Sequence, residues 1–309
     1  MTAKPRFDNA TTAKLLLVFL AFCWGLSWPS MRIALDEVGP WTMRLFGYSI
    51  GAITLVVLIR WQRRSLAIPF GRAWLHVLIA GAFNSVMFGL CATFAQLLAT
   101  TSRVIIINYS MPIWGSLMAW IVLRERVNPR ARLGLALCIA GLTVLVYPVA
   151  HATATEPIGL LLALGCALSW AAGAVYMKWA RIPGDLIAIT FWQVILGVVV
   201  FAAGFFVFQG APTFEMPSSR AVLGILFNGV FGTGVAYFLW FNIIGRLSMA
   251  TASLGTLANP VVGVIGSMLL LGDRLTVPDI VGFALIFAAA VCVLLPARGT
   301  PEKTQAPVS

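Results

Sequence analysis

Tryptophans deep within apolar stretches are the residues of this chain best suited to bind a ligand. Trp24, Ser27 and Trp28 follow the i, i+3, i+4 spacing that places side chains on one helix face. Trp170 and Trp192 lie at similar depth in apolar stretches of the second half. Indole rings stack on flat or apolar molecules, and ligand sites are mostly apolar with a few polar groups. The spacing therefore predicts an aromatic-lined binding site, with helix–helix packing as the alternative.

Polar residues within or near the apolar stretches could orient such a ligand. Arg44 is followed four residues later by Tyr48, and its guanidinium could bind a carboxylate at the cavity mouth or extend to an aqueous interface. Asn84 and Phe88 share a helix face and are predicted to line the same cavity. Gln193 lies in the corresponding region of the second half. We expect these groups to contact the polar ends of the ligand.

Two prolines and a histidine could supply bending and proton transfer. Pro112 and Pro260 occupy matching positions, and a proline inside a helix removes a backbone hydrogen bond. The carbonyl groups freed would be those of Asn108 and Thr256. Matched broken segments in two halves point to a binding site, but kinks that serve helix packing alone are the alternative. His76 could carry a proton or form a structural hydrogen bond.

Acidic residues are few, and each lies in a tail, a loop or the end of an apolar stretch. Proton-coupled pumps and exporters of cations generally depend on a carboxylate within the membrane. The sequence therefore argues against tight proton coupling and favours a neutral or zwitterionic ligand. The ten acidic residues are Asp8, Asp36, Glu37, Glu125, Glu156, Asp185, Glu215, Asp273, Asp279 and Glu302.

Motifs of catalysis and metal binding are missing from the sequence. It contains no H-E-x-x-H, no G-x-S-x-G and no phosphate-binding glycine loop. The five cysteines lie in apolar stretches without a C-x-x-C pair. We expect neither an enzyme nor a cofactor or metal site.

The composition is that of a membrane protein. The chain is 60% hydrophobic and 10% charged, whereas soluble domains carry roughly 25% charged residues. Its net charge of +11 comes from Lys and Arg in short loops between apolar stretches, as membrane orientation requires. No basic stripe suggests nucleic-acid binding.

Ten apolar stretches are long enough to cross a bilayer, which needs about 20 residues. The excess of Lys and Arg in alternate loops predicts that the tails 1–12 and 297–309 both lie in the cytoplasm. The predicted spans are 13–35, 41–60, 74–98, 103–123, 131–149, 158–180, 185–208, 220–241, 249–271 and 277–296.

An internal repeat organises these spans. Segments 112–148 and 260–296 match at a constant offset of 148 residues, and both run from an apolar helix through a charged turn to a second apolar helix. Each half, 13–149 and 158–296, holds five spans, so the second half must enter the membrane in the opposite orientation. We expect an all-α integral membrane protein with ten transmembrane helices in two inverted five-helix repeats around a central cavity.

Several motifs resemble a known transporter family. The segment F-C-W-G-L-S-W-P-S-M-R-I-A-L (22–35), P-W-T-M-R (40–44) and the paired Y-S-M-P…L-R-E-R (109–126) and L-A-N-P…L-G-D-R (257–274) resemble the EamA branch of the drug/metabolite transporter superfamily. The resemblance covers residues 13–296. It implies a cavity lined by helices one to four and six to nine, with five and ten peripheral.

Within that family the chain most resembles the YddG-type exporters of aromatic amino acids. The resemblance implies export of aromatic and related apolar amino acids across the cytoplasmic (inner) membrane by alternating access. The lack of acidic residues within the spans favours a facilitator, and we expect a monomer whose partners are its substrate and the bilayer. Ala171 follows Trp170 where the family has glycine, so the two halves need not contact the substrate equally. The alternative is an exporter of a broader set of metabolites or amphiphilic drugs, with proton coupling open.

Overall fold

A computed structural model describes residues 9–124, 129–148, 155–209, 216–244, 246 and 255–294. Most of the predicted tails, the acidic turn with Glu125 and Arg126, and the proline predicted to end the last span, Pro296, lie outside the described residues. The regular structure of the described part is helical throughout.

The helices of the described residues fall into ten units. Nine of them, within the described residues, are long and apolar enough to cross a membrane, and they coincide with nine predicted spans. The unit α9 is shorter at 14 residues and begins at Ala258, after a turn at 256–257; residues 249–254 of the predicted ninth span lie outside the described part. The units are α1 Asn9–Leu35, α2 Pro40–Trp61, α3 Arg72–Leu98, α4 Thr101–Leu123, α5 Pro129–Val146, α6 Thr155–Ala180, α7 Leu186–Gln209, α8 Ser219–Ile243, α9 Ala258–Leu271 and α10 Val277–Leu294.

The repeat seen in the sequence has local structural counterparts. Helices α5 and α10 are each 18 residues long and begin 148 residues apart. Helices α4 and α9 both end in a left-handed residue, Arg124 with φ 55° and Gly272 with φ 74°, again 148 residues apart. The amide of each of these residues donates to the carbonyl five residues earlier. The charged turn of the repeat therefore begins with the same backbone geometry in both halves.

Helices α3, α4 and α8 are interrupted within their length. Short π-helical segments occupy Ala82–Met87 in α3 and Asn228–Val235 in α8, and such segments are frequent at functional sites. Helix α4 breaks at a two-residue turn and resumes at Met111, so that Pro112 lies in the first turn of the resumed helix. Pro260 lies likewise in the first turn of α9. Both prolines therefore stand near the start of a helical segment, and not at the mid-helix position we expected.

Helices of the first half, α1–α5, pack mainly against helices of the second half, α6–α10. Helix α1 contacts α8 and α9, and its counterpart in the second half, α6, contacts their counterparts α3 and α4. In the same way α2 contacts α8, and its counterpart α7 contacts α3. The counterparts α5 and α10 contact each other. The interface between the halves is therefore the core of the molecule.

Contacts between the halves lie at both ends of the bundle. At one end, the carboxylate of Glu37 in the α1–α2 loop accepts hydrogen bonds from the backbone amide (2.7 Å) and hydroxyl of Ser218, which caps α8. At the other end, Arg64 in the α2–α3 loop pairs with Asp185, the cap of α7, at 3.3 Å. We call these the Glu37 end and the Arg64 end.

Candidate functional site

A row of aromatic rings crosses the interface between the halves. The rings of Trp28 and Phe88 meet edge to face with centroids 6.4 Å apart, and Phe88 lies 5.1 Å from Trp170. Trp170 is in turn nearly parallel to Tyr237 at 6.4 Å. Since these residues come from α1, α3, α6 and α8, the row holds two helices of each half together.

The row continues along α1 and α8. Trp24 meets Tyr237 edge to face at 6.3 Å and Trp240 at 5.8 Å. The hydroxyl of Ser27 donates to the carbonyl of Trp24 in its own helix, and the carbonyl of Ser27 accepts from Asn228. Trp24 thus joins the aromatic row, whereas Ser27 is engaged with backbone and with α8.

A cluster of amide side chains and one thioether, which we call the amide cluster, lies beside the row. The amide nitrogen of Asn84 donates to Oε1 of Gln193 at 3.1 Å, and both side chains direct an amide N–H at the sulfur of Met177 at 3.4 Å. Gly173 allows this arrangement, because a methyl group there would overlap the Asn84 amide. The Oδ1 atom of Asn84 is buried and has no hydrogen-bond partner within the described chain.

Arg44 is buried in the interior, with 5% of its surface exposed. Its Nε donates to the hydroxyl of Thr93 on α3, and its guanidinium carbon lies 5.8 Å from the centroid of the Tyr48 ring. Tyr48 donates to the carbonyl of Ser85 at 3.2 Å and meets Phe201 edge to face at 4.9 Å. The Nη2 atom of Arg44 is buried and finds no acceptor among the described residues. The side chain therefore does not reach an aqueous interface.

Trp192 and His76 lie in separate contacts toward the Arg64 end. The indole N–H of Trp192 donates to the carbonyl of Leu66 at 2.9 Å, and its ring meets Trp74 at 4.9 Å. Nδ1 of His76 lies 2.7 Å from the hydroxyl of Tyr176 on α6. The structure brings Trp24, Trp28, Phe88 and Trp170 together but directs Trp192 to a different cluster.

A polar cavity of about 640 Å³ opens at the Glu37 end. Its lining combines both signs of charge with backbone at the ends of α3 and α9. None of the substrate-binding residues predicted from the sequence lines it. The lining residues are Arg32, Asp36, Gln96, Leu97, Leu98, Ala99, Thr100, Thr101, Glu156, Arg220, Leu270, Leu271 and Asp273.

An ionic cluster links the halves beside that cavity. Arg103 of α4 pairs with Asp279 of α10 at 2.7 Å and with Glu156 of α6 at 2.5 Å. Asp273 accepts hydrogen bonds from the backbone amide (2.8 Å) and hydroxyl (2.7 Å) of Ser102, in the first turn of α4. These contacts, which we call the Arg103 cluster, hold α4 to the second half at the Glu37 end.

Sequence reasoning missed several residues of the site. Tyr237 continues the aromatic row, Thr93 binds Arg44, and Met177 and Gly173 shape the amide cluster. Tyr237 carried one signal, since it is an aromatic residue inside an apolar stretch like the tryptophans we selected. Gly173 and Met177 carried another, because they follow Trp170 at i+3 and i+7 and so share its helix face. Thr93 carried none, because small residues are common in membrane helices.

Comparison with known proteins places the chain in a family. The EamA-like transporter family model matches residues 11–147 and 157–295, one copy for each half. A protein named as an uncharacterized transporter, YoaV of Bacillus subtilis, is 24% identical over 87% of this chain and 92% of its own length. A probable amino-acid metabolite efflux pump of Escherichia coli is 22% identical over 88% and 91%. A solved crystal structure shares the fold, with a TM-score of 0.63 over 91% of this chain and 96% of the other at 20% identity.

Proposed function

Because the chain belongs to the EamA-like transporter family, we propose that it exports aromatic and related apolar amino acids from the cytoplasm. Substrate would cross between the two halves by alternating access, down its own gradient. The observation that carries this proposal is the aromatic row, which crosses the interface between the halves next to buried polar atoms that lack partners within the described chain. A site of aromatic rings with a few polar groups beside them suits a ligand that has an apolar side chain and two charged groups.

Contacts between loops support the inverted arrangement of the two halves. The α1–α2 loop meets the α7–α8 loop through Glu37 and Ser218, and the α2–α3 loop meets the α6–α7 loop through Arg64 and Asp185. If the halves shared one orientation, the α1–α2 and α6–α7 loops would lie at the same end. The crossed pairing instead favours halves of opposite orientation, related by a pseudo-two-fold axis in the membrane plane.

The substrate ring would pack among the members of the aromatic row. The ring edges and faces of Trp28 and Phe88 in the first half, and the ring face of Trp170 in the second half, would contact the substrate ring. Rings in contact across the interface must separate for a substrate to enter, so binding would be coupled to the relative position of the halves. Trp192 would act near the cytoplasmic mouth, since it lies with Trp74 toward the Arg64 end.

The amino and carboxylate groups of the substrate would contact the polar residues beside the row. The unpaired Oδ1 of Asn84 can accept a hydrogen bond from an ammonium group, and Gln193 lies within the same cluster. On a third helix, α2, Tyr48 supplies a hydroxyl and Arg44 supplies a positive charge. The substrate would therefore complete hydrogen bonds that the interior lacks, which matters because an unpaired buried polar atom costs roughly 1–3 kcal/mol.

Alternation would require the two ends to open in turn. The Arg103 cluster and the Glu37–Ser218 contact would separate when the site faces outward. The Arg64–Asp185 and His76–Tyr176 contacts would separate when it faces the cytoplasm. The helical segments that carry Pro112 and Pro260 in their first turns would bend during this change, since both follow a turn within a predicted span.

The partners of the acidic residues favour facilitated transport. Each of the six acidic residues in the described part of the chain bonds to another protein group near a helix end. The interior therefore offers no free carboxylate there to exchange a proton for a cation. In a facilitator of this kind, the hydrogen bond of His76 would be structural.

The name of the Escherichia coli relative is consistent with this substrate class, since it is called a probable amino-acid metabolite efflux pump. A competition panel in reconstituted vesicles tests the proposal. Uptake of labelled phenylalanine should be reduced by excess unlabelled tryptophan, tyrosine and leucine, and only weakly by non-amino-acid aromatic cations. Equal inhibition by such amphiphilic cations would contradict the proposal and favour a broader drug exporter.

A further inference from the structure

The guanidinium of Arg44 has no counter-anion in the described part of the chain. Its neighbours there are neutral, namely the Thr93 hydroxyl and the Tyr48 ring. All six described acidic residues are engaged with other groups. Their partners are Arg32 for Asp36, Ser218 for Glu37, Arg103 for Glu156 and Asp279, Arg64 for Asp185, and Ser102 for Asp273.

An unpaired cation in the interior of a membrane protein is costly, and such residues generally face a substrate pathway. The planar guanidinium fits the two oxygens of a carboxylate, with which it forms two parallel hydrogen bonds. Nε of Arg44 already donates to the Thr93 hydroxyl, but the buried Nη2 lacks an acceptor among the described residues. The residue thus presents the donor, the charge and the low-dielectric surroundings that strengthen carboxylate binding.

Arg44 also lies close to the aromatic row. The Thr93 hydroxyl that accepts from Arg44 donates in turn to the carbonyl of Gly89 at 2.8 Å, and Gly89 directly follows Phe88. The Phe88 ring contacts Trp28 and Trp170 in the row. A molecule whose ring packs in the row could therefore place a carboxylate at Arg44 without leaving the interface between the halves.

We infer that the carboxylate of the substrate is its obligatory recognition group and that Arg44 binds it. This inference rests on the site of the proposed function and deepens it by naming the substrate class as aromatic carboxylates. The ammonium group contributes less, because the amide cluster that would receive it is neutral and two of its three side chains are already bonded to each other. Aromatic amines that lack a carboxylate are excluded, since they would place a second cation beside Arg44.

Four compounds that share one phenyl ring separate the two charged groups. Phenylalanine carries both, 3-phenylpropanoate only the carboxylate, phenylalaninamide and phenethylamine only the amine. Each is tested for stabilisation of the purified wild-type protein against heat and for inhibition of transport in vesicles. Phenylalanine and 3-phenylpropanoate should bind at least tenfold more tightly than the other two. Equal binding of all four, or binding of none, would overturn the inference.

Variants then assign the effect to Arg44. Arg44→Gln should abolish the tenfold preference for carboxylates, and Arg44→Lys should retain part of it, because an ammonium keeps the charge but not the planar fork. Arg60→Gln, which replaces an exposed arginine near the end of the same helix, is the matched control and should keep the full preference. An Arg44→Gln protein that melts normally and still prefers carboxylates tenfold would overturn the assignment.

The same panel separates this inference from the proposed function. If phenylalanine fails to bind but 3-phenylpropanoate binds and depends on Arg44, the inference stands while amino-acid export fails. If phenylalanine and phenylalaninamide are transported equally, amino-acid-like substrates survive while the role of the carboxylate is lost.

Discussion

The amide nitrogen of Asn84 and the carboxamide oxygen of Gln193 form a 3.1 Å hydrogen bond that joins α3 of the first half to α7 of the second. Asn84 can approach α6 closely only because position 173 is glycine. This contact lies in the π-helical segment of α3, where the backbone departs from regular helix. The amide cluster is therefore the place where small changes in side-chain volume should alter transport most.

Substitution of Gly173 by alanine tests that dependence. The added methyl group would displace the Asn84 amide from Gln193, and we expect phenylalanine transport to fall about tenfold, equivalent to about 1.4 kcal/mol. Gly165→Ala is the matched control on the same helix, because its methyl group would lie in contact at 3.4 Å from the Cys91 sulfur. Transport rates of the two variants in vesicles check the prediction, and equal rates would argue against the amide cluster.

Trp28 should contribute to substrate affinity through its ring. Trp28→Ala removes the edge contact with Phe88, and we expect the apparent KM for phenylalanine to rise about tenfold, while Trp28→Phe retains most of the affinity. Trp61→Ala serves as the control, because 76% of Trp61 is exposed at the end of α2. An unchanged KM in a well-folded Trp28→Ala protein would show that the Trp28 ring does not contribute to substrate binding.

The Arg103 cluster should stabilise the Glu37 end. Asp279 is 3% exposed, so its replacement by alanine leaves a partly buried guanidinium with Glu156 alone. We expect a cost of roughly 3 kcal/mol or more and a melting temperature lower by several degrees. Asp36→Ala removes the exposed Arg32–Asp36 pair and should cost less than about 1 kcal/mol. Equal effects of the two variants on thermal unfolding would contradict a special role for the Arg103 cluster.

The contact between Glu37 and Ser218 should give a pH-dependent contribution to stability. Hydrogen bonds from the hydroxyl and then the amide of Ser218 hold the pKa of the Glu37 carboxyl below its ordinary range. A lowered pKa means that stability is present above the ordinary value, about 4.3, and is lost as the pH falls through the lowered value. Glu37→Gln should therefore lower the melting temperature at pH 7, and the difference should vanish in acid.

The Ser218→Ala background supplies the control for this effect. The amide of residue 218 remains but the hydroxyl is gone, so Glu37→Gln should change the melting temperature less in this background than in the wild-type protein. A difference that persisted unchanged into acid, or in the absence of the hydroxyl, would show that the effect has another source.

The helices were predictable because a helix that crosses a bilayer needs a long apolar segment, and the hydropathy of the sequence identifies such segments directly. Nine of the predicted spans coincide with helices long and apolar enough to cross a membrane in the described part of the chain. The turn at 109–110 in α4 was not predicted, because Pro112 indicates a break but not whether it precedes or bends the helix.

The site was predictable only in part. Depth in an apolar stretch identified Trp28 and Trp170, and a helix face shared with Asn84 identified Phe88, but depth does not tell how a helix is rotated about its axis. For that reason Trp192, which bonds to Leu66, could not be distinguished from the members of the aromatic row. The pair formed by Arg103 and Asp279 spans 176 residues, so only the tertiary fold brings it together.

Counterflow tests the central claim most directly. Vesicles that contain the purified wild-type protein and unlabelled phenylalanine inside are placed in labelled phenylalanine, with no proton gradient imposed. An alternating-access facilitator should drive transient accumulation of label above its equilibrium level, and phenethylamine inside the vesicles should not replace phenylalanine. Absence of accumulation beyond that of protein-free vesicles, or accumulation only when a proton gradient is imposed, would contradict the account.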